Sequence, residues 1–298
     1  LAQCLSLNTT GFLGSIAGVS TPRIYVYGDI INLDCTFNIS NGPEIRFVSG
    51  VSGGVQNCNI TSTVRLVVIL PSTNTLTVVL GDNLTCSYVH LVRGNFDLSG
   101  YDVTGGFYTN GTLTRKLFLR NGTWTIPYTG SSGVEGQWDT DSNTGLSIDS
   151  GTSTIALNGG SSIIPQYFRG AGYTYHNLFI GSAPSSGAIK IITGSSTFNT
   201  ISGGAALLTK LTFAASSTQT VVSFDVNGSA GFLTSILSTS AGSKFTLSSS
   251  NAQSVDFLSI KDGIAVGPGW TAESTCIDSG GNSGWIFAPA ASGMLVFF

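Results

Sequence analysis

Charge is scarce in this chain: of 298 residues only 9% are Asp, Glu, Lys or Arg, against roughly 25% in an ordinary soluble domain. The twelve basic residues are scattered singly and the net charge is −3. No basic stripe is therefore present to neutralise a phosphate backbone, and nucleic acid is not an expected partner. Long hydrophobic runs are missing too. The longest, Leu66 to Leu70, falls far short of the roughly 20 residues that span a bilayer, so no membrane insertion is expected. The chain opens with Leu and its single Met is Met294, so the expectation is a lost initiator or leader, or a start inside a longer product. Histidine is limited to His90 and His176. Each lies in a strand-like run among apolar or aromatic neighbours, which favours a hydrogen-bonded wall residue over a catalytic base or zinc ligand.

Five cysteines, Cys4, Cys35, Cys58, Cys86 and Cys276, contain no C-x-x-C pair, which removes zinc and thioredoxin-like readings. Steps of 23 residues from Cys35 to Cys58 and 28 from Cys58 to Cys86 are compatible with stacking in adjacent units of a repeat, either as small buried hydrophobes or as a disulfide. The Gly-rich Ser49 to Gly54 lacks the Lys-Ser/Thr and following helix of a phosphate loop.

What the chain has instead is 41% apolar residues, 39 glycines and a wealth of Ser, Thr and Asn. Strand-like runs recur, each bounded by Gly, Ser, Asn or Asp. Examples are Arg23 to Tyr27, Val64 to Leu70, Lys116 to Leu119, Thr154 to Leu157, Tyr175 to Ile180, Thr220 to Val226 and Val255 to Ile260. The nearest approach to a helix, Gly204 to Lys210, is short. Many runs carry an apolar-x-apolar pair: Leu117 and Leu119, Leu146 and Ile148, Ile155 and Leu157, Leu178 and Ile180, Ile189 and Ile191, Leu211 and Phe213, Leu258 and Ile260. Period-two alternation puts both members of each pair on one face. Their spacing fits repeating units of roughly 20 to 30 residues with two or three short strands each. Stacked at about 4.8 Å, a dozen such units make a rod on the order of 60 Å. Such stacking superposes like charges, which explains hydroxyls and amides on the outside. The expected fold class is all-β, a parallel β-helix (solenoid); the alternative is tandem β-sandwich domains, whose strand spacing is similar.

The order of NFDLSGYDVTGGFYTNGTLTRKLFLRNGTWTI, TGLSIDSGTSTIAL, GYTYHNLFI, STFNTI, TQTVVSFDVNGSAGFLTSILSTSAGSKFTLS and SVDFLSIKDGIAV, closing on DSGGNSGWIF, resembles the repetitive β-helix surface proteins of bacteria and of bacteriophage virions and tail fibres. The resemblance implies a right-handed parallel β-helix, an extracellular virion or cell-surface location, and a structural or adhesive role without a catalytic signature. Its span gives the expected organisation: residues 1–82 as a β-rich cap with first units, 83–287 as the parallel β-helix, and 288–298 as an apolar tail. The apolar ending, Met294 to Phe298, suggests contact with another subunit, by strand addition or threefold packing.

The densest acidic cluster is Glu135, Asp139, Asp141 and Asp149, beside Trp138. Carboxylates near an aromatic platform make it the best catalytic candidate, for a polysaccharide hydrolase or lyase, although acidic residues in Gly/Ser/Thr loops are commonly turn formers. Asp139, Asp141 and Asn143 have the alternate spacing of a calcium loop without its Gly and distal Glu. Trp124, Trp138, Trp270 and Trp285, with Tyr101, Tyr108, Tyr128, Tyr167, Tyr173 and Tyr175, are candidate stacking platforms for a glycan, or core; Trp285 and Phe287 are expected to plug the last unit. Asn-x-Ser/Thr sequons at Asn8, Asn38, Asn59, Asn83, Asn110, Asn121 and Asn227 follow by chance from the composition. The expectation is a non-catalytic structural or adhesive protein without catalytic residues, metal or cofactor. Its expected partners are copies of itself, a trimer among the candidates, other surface or virion proteins, and a cell-surface glycan. A polysaccharide-cleaving spike and a secreted bacterial adhesin are the alternatives.

Overall fold

The computed structural model describes residues 2–4, 7–8, 15–17, 23–27, 30–33, 36–38, 43–48, 54–60, 63–71, 74–127, 136–140, 144–161, 164–181, 188–203 and 208–289. Among them every element is a β-strand, arranged in sheets of 20, 7, 3 and 2 strands. Among the described residues no helix is long and apolar enough to cross a membrane. All ladders between named strands are parallel; the antiparallel contact among the described residues is an isolated bridge from Ser229 to Phe232. Greek-key sandwiches require antiparallel ladders, so the tandem-sandwich alternative does not describe this chain.

Parallel neighbours cannot be joined by a tight hairpin, so each ladder step spans a long stretch of sequence. Here the step runs from 15 residues, as from Trp270 to Trp285, to 31, as from Leu117 to Ile148. The chain between two partners is itself used in the other sheets, which is why no helical crossover is needed. One ladder runs Ala2–Cys4, Arg23–Val26, Glu44–Phe47, Val64–Ile69, Leu84–Leu91 and Val103–Thr109. There it divides: the front of Val103–Thr109 pairs with Thr123–Pro127, and its back pairs with Trp138–Asp139. Both branches continue toward the C-terminus, one to Gly263–Val266 and one to Ile277–Asp278. Pairing crosses residue 82 without a break, because Ile69 is in register with Leu91.

In-register stacking converts alternation within a strand into columns between strands. One inward column is Ile24, Ile45, Val67, Val89, Phe107, Trp138, Phe168, Ile192 and Phe213, all buried. Its centre is aromatic. The Trp138 ring stacks on Phe107 at 4.5 Å and on Phe168 at 6.2 Å, and meets Trp124 edge-on at 5.4 Å. Fully burying each such ring contributes on the order of 2 to 3 kcal/mol.

The inward pairs read from the sequence hold for Leu117 and Leu119, Ile155 and Leu157, Leu178 and Ile180, Leu211 and Phe213, and Leu258 and Ile260, all buried. Leu146 is buried with Ile148 half-buried beside it. One pair is reversed: Ile189 and Ile191 are half-buried, whereas Ala188, Lys190 and Ile192 point inward. Register decides this, since Ile192 continues the Phe168 column and Lys190 lies beside Gln166. The Lys190 ammonium donates to Leu157 O at 2.8 Å, to Gln166 Oε1 at 2.7 Å and to Gly159 O. Interior carbonyls at a corner thus take a lysine that hydropathy would place outside. Arg115 does the same at an earlier corner, donating to Leu113 O and Gly111 O and to Thr109 Oγ1.

The short helix candidate is also replaced. Leu208–Phe213 is a strand, and residues 204–207 lie outside the described ones. Cys58 and Cys86 are free and buried, but they do not stack on one ladder: Cys58 pairs with Leu80, and Cys86 with Val64. Cys276 is free and half-buried, while the side chains of Cys4 and Cys35 lie outside the described residues.

Corners are tied to their ladder neighbours by short polar side chains. Asn83 Oδ1 accepts from Asp102 N (2.9 Å), and Asp102 Oδ1 from Thr123 N (2.7 Å). The DSGGNSGWIF ending is built alike: Asn282 Oδ1 accepts from Gly263 N while its Nδ2 donates to Ile260 O. Gly284 has φ +77°, and a Cβ there would stand 2.0 Å from Ala265 O, so no other residue fits without displacement. Trp285 then packs on Trp270 at 5.3 Å, and Phe287 also packs against the core. Residues 290–298, including the apolar ending, lie outside the described residues.

Candidate functional site

The same register that builds inward columns builds an outward row. Tyr25, Arg46, Val68, His90, Tyr108, Asp139 and Arg169 are successive partners on one ladder. Two residues earlier on the same strands, Arg23, Glu44, Leu66 and Tyr88 form a parallel row. Residues two apart share a face, so this side of the sheet gathers arginine, tyrosine and histidine in a chain otherwise covered by hydroxyls.

Its first members form a charge cluster. Glu44 is buried, at 3% side-chain exposure, and three arginines address it: Arg23 Nε at 2.9 Å, Arg46 Nη2 at 2.5 Å and Arg65 Nη2 at 3.8 Å. Burial pushes the Glu44 carboxyl up, but hydrogen bonds from Arg23 and Arg46 outweigh it and hold the group below the usual carboxylate range. Arg46 also lies over the Tyr25 ring, 5.8 Å from its centroid. The guanidiniums bring more N–H donors than one carboxylate can accept. Arg65 Nε is buried with no acceptor among the described residues.

Farther along the row the chemistry becomes aromatic and amide. The His90 and Tyr108 rings lie 4.9 Å apart, tilted by 42°, His90 Nε2 meets Asn110 Oδ1 at 3.2 Å, and Asn110 Nδ2 donates to Tyr108 Oη at 2.7 Å. Burial pulls the His90 pKa down against the Asn110 hydrogen bond, with Arg46 and Arg115 adding to the pull. The row then closes on a neutral pair. Arg169 donates to Asp139 Oδ2 at 2.8 Å and lies over Tyr167 at 4.8 Å.

The acidic cluster read from the sequence is not one carboxylate pair. Asp139 is nearly buried and held by Arg169; Asp149 lies in another sheet, half-exposed, 3.8 Å from Lys116. Trp138 is fully buried in the aromatic column and offers no platform. Glu135, Asp141 and Asn143 lie outside the described residues, as does Tyr128. Among the described residues no three His, Cys, Asp or Glu side chains come together as metal ligands. Trp124, Trp270 and Tyr175 are core; Tyr108, Tyr167 and Tyr173 are half-buried, and Tyr101 is exposed. His176 is half-buried in a strand, as the sequence placed it, with Nδ1 unpartnered among the described residues. Of the sequon asparagines, Asn83 and Asn227 serve ladder corners, Asn227 Oδ1 accepting from Asp256 N at 2.8 Å.

Sequence reasoning missed the arginine cluster. Its signal was present, since Arg23, Glu44 and Arg65 follow at steps of 21 residues, the ladder step itself between Ile24 and Ile45. No family model, curated protein or solved structure matches the chain.

Proposed function

We propose that the chain is a right-handed parallel β-solenoid that serves as a non-catalytic structural and adhesive element on a virion, fibre or cell surface. The observation that carries this reading is the parallel ladder, continued from Ala2–Cys4 to Ile277–Asp278 with apolar side chains buried along it from Ile24 to Ile260. Parallel crossovers within one sheet are right-handed in about 98% of cases. Twelve ladder steps at about 4.8 Å give a rod of roughly 60 Å, with outer rows of Ser, Thr and Asn suited to uncharged contact. The resemblance of the strand-turn-strand units to bacterial and bacteriophage β-helix surface proteins points the same way. Asp139 and Asp149, each engaged by a cation, and Trp138, in the core, favour a surface rather than a cleaving groove. The apolar ending supports self-association on the same rod.

Small-angle scattering and negative-stain imaging of the purified chain test the shape, expecting an elongated particle or its oligomer; a compact sphere overturns the proposal. Incubation with bacterial capsule or lipopolysaccharide, followed by a reducing-end assay, tests the role, and sustained release of new ends overturns it.

A further inference from the structure

The outward row beginning at Glu44 departs from the pattern of the remaining surface. In the other ion pairs one cation meets one carboxylate: Asp139 faces its ladder partner Arg169, and Arg120, just past the strand that pairs with Gly94–Asp97, grips Asp97 through two hydrogen bonds of 3.0 and 2.6 Å. Around Glu44, three guanidiniums share one carboxylate. Three guanidiniums against one carboxylate leave the cluster with two positive charges in excess among the described residues, and Arg46 and Arg65 are about three-quarters buried, at 24% and 28% side-chain exposure. Holding like charges together in partly desolvated surroundings costs free energy that a bound anion would offset. Arg65 Nε, buried with no acceptor among the described residues, adds to that cost.

What adjoins the cluster narrows the ligand. One and two ladder steps beyond Val68, at about 4.8 Å each, come His90 and Tyr108 with the Asn110 amide. Half-buried rings with an amide at their edge suit the apolar faces and hydroxyls of a sugar. Positive charge does not continue along the row, as a nucleic-acid backbone would require. From Arg46 to Tyr108 is three ladder steps, about 14 Å, the span of a short oligosaccharide.

We infer that the face from Arg23 to Tyr108 binds an acidic polysaccharide, with the carboxylate or sulfate group in the Arg23–Arg46–Arg65 cluster and a neighbouring sugar on His90 and Tyr108. This deepens the adhesive role and rests on that reading.

The test uses the full chain against immobilised heparin (sulfated), hyaluronan (carboxylated) and dextran (neutral), with double-stranded DNA as an anion lacking sugar-face contacts. Two double variants change net charge equally: Arg46→Gln with Arg65→Gln in the cluster, and Lys116→Gln with Arg120→Gln away from it. Circular dichroism establishes that each is folded, and Arg46→Lys provides a milder second variant. The expected result is binding to heparin or hyaluronan that weakens about tenfold or more in the cluster variant, under about twofold in the control, and partially in Arg46→Lys. Which of the two is bound assigns sulfate or carboxylate. Tyr108→Ala lowers polysaccharide affinity without altering retention of inorganic sulfate. Equal losses in both double variants, or DNA bound as tightly as polysaccharide, overturn the inference. Binding to dextran alone also overturns it, yet leaves the adhesive rod standing; a compact particle in scattering fails the rod independently.

Discussion

Replacing Lys190 by Met keeps an unbranched side chain in the interior and deletes the ammonium. Lys190 is fully buried, and burial pulls its pKa from 10.5 down to about 7. The oxygens of Leu157, Gly159 and Gln166 accept its protons and oppose that pull, because they bond the charged form. The folded-state pKa lies below the unfolded one, so from about pH 7 to about pH 10.5 the unfolded chain holds a proton that the folded chain lacks. Stability therefore rises with pH through this window; below it both states are protonated and the buried charge exerts its full desolvation cost. One pH unit within the window is worth up to about 1.4 kcal/mol, and integration from about pH 7.5 to about pH 9.5 gives roughly 2.5 kcal/mol.

Cys58 and Cys86 act in the opposite sense. Burial pushes both thiols up, so the unfolded chain loses protons that the folded chain keeps, and stability falls as pH rises through the ordinary thiol range. Urea unfolding of wild type and Lys190→Met across the same pH series isolates the lysine, since the thiols contribute equally to both. The expected outcome is a wild-type minus variant difference that climbs by roughly 2.5 kcal/mol over the two units. A difference flat to within about 0.5 kcal/mol means that the three oxygens keep the ammonium charged, and refutes the argument.

Trp138→Ala, which empties the centre of the aromatic column between Phe107 and Phe168, is expected to cost about 3 to 5 kcal/mol; a loss under about 1 kcal/mol in denaturant unfolding would show that the column repacks. Gly284→Ala drives a Cβ toward Ala265 O at positive φ and is expected to destabilise by about 1 to 3 kcal/mol. Amide exchange should report that loss first in Gly263–Val266 and Trp285–Phe287, and unchanged protection there would count against it. Under native conditions a thiol reagent is expected to modify half-buried Cys276 well before Cys58 and Cys86, with mass spectrometry giving the order; early labelling of Cys58 contradicts its burial.

Strand positions were legible because alternation is a local property: Tyr175 to Ile180 and Thr154 to Leu157, read from sequence, are contained in Thr174–Ile180 and Thr154–Asn158. Facing was legible where one parity is apolar and the other polar, as at Leu258 and Ile260, which alternate with Ser259 and Lys261. It failed at Ala188–Thr193, where both parities are apolar except for a lysine, and where the column of Phe168 and the carbonyls of Leu157 and Gly159 decided the register. Such partners lie 24 to 33 residues away, beyond any local pattern. Trp138 failed for a related reason, since a ring beside carboxylates in sequence reads as a platform until its ladder neighbours are known. Gly94–Asp97 and Gln166–Arg169 escaped notice because four residues with one or two apolar members carry too little alternation.

The same non-locality explains where a site can arise on this surface. In a parallel ladder each side chain sits beside the one a step earlier and the one a step later, so a charge without an opposite neighbour is repeated against itself or left bare. Pairs such as Asp139 with Arg169 meet that condition within the chain. Arg23 and Glu44 meet it as well, and one arginine would have sufficed. The second and third, Arg46 and Arg65, add repulsion and desolvation with no further carboxylate among the described residues to relieve them. On the inference of acidic-polysaccharide binding, an anionic group from outside the chain would offset that excess, with the His90 and Tyr108 rings farther along the ladder taking a neighbouring sugar.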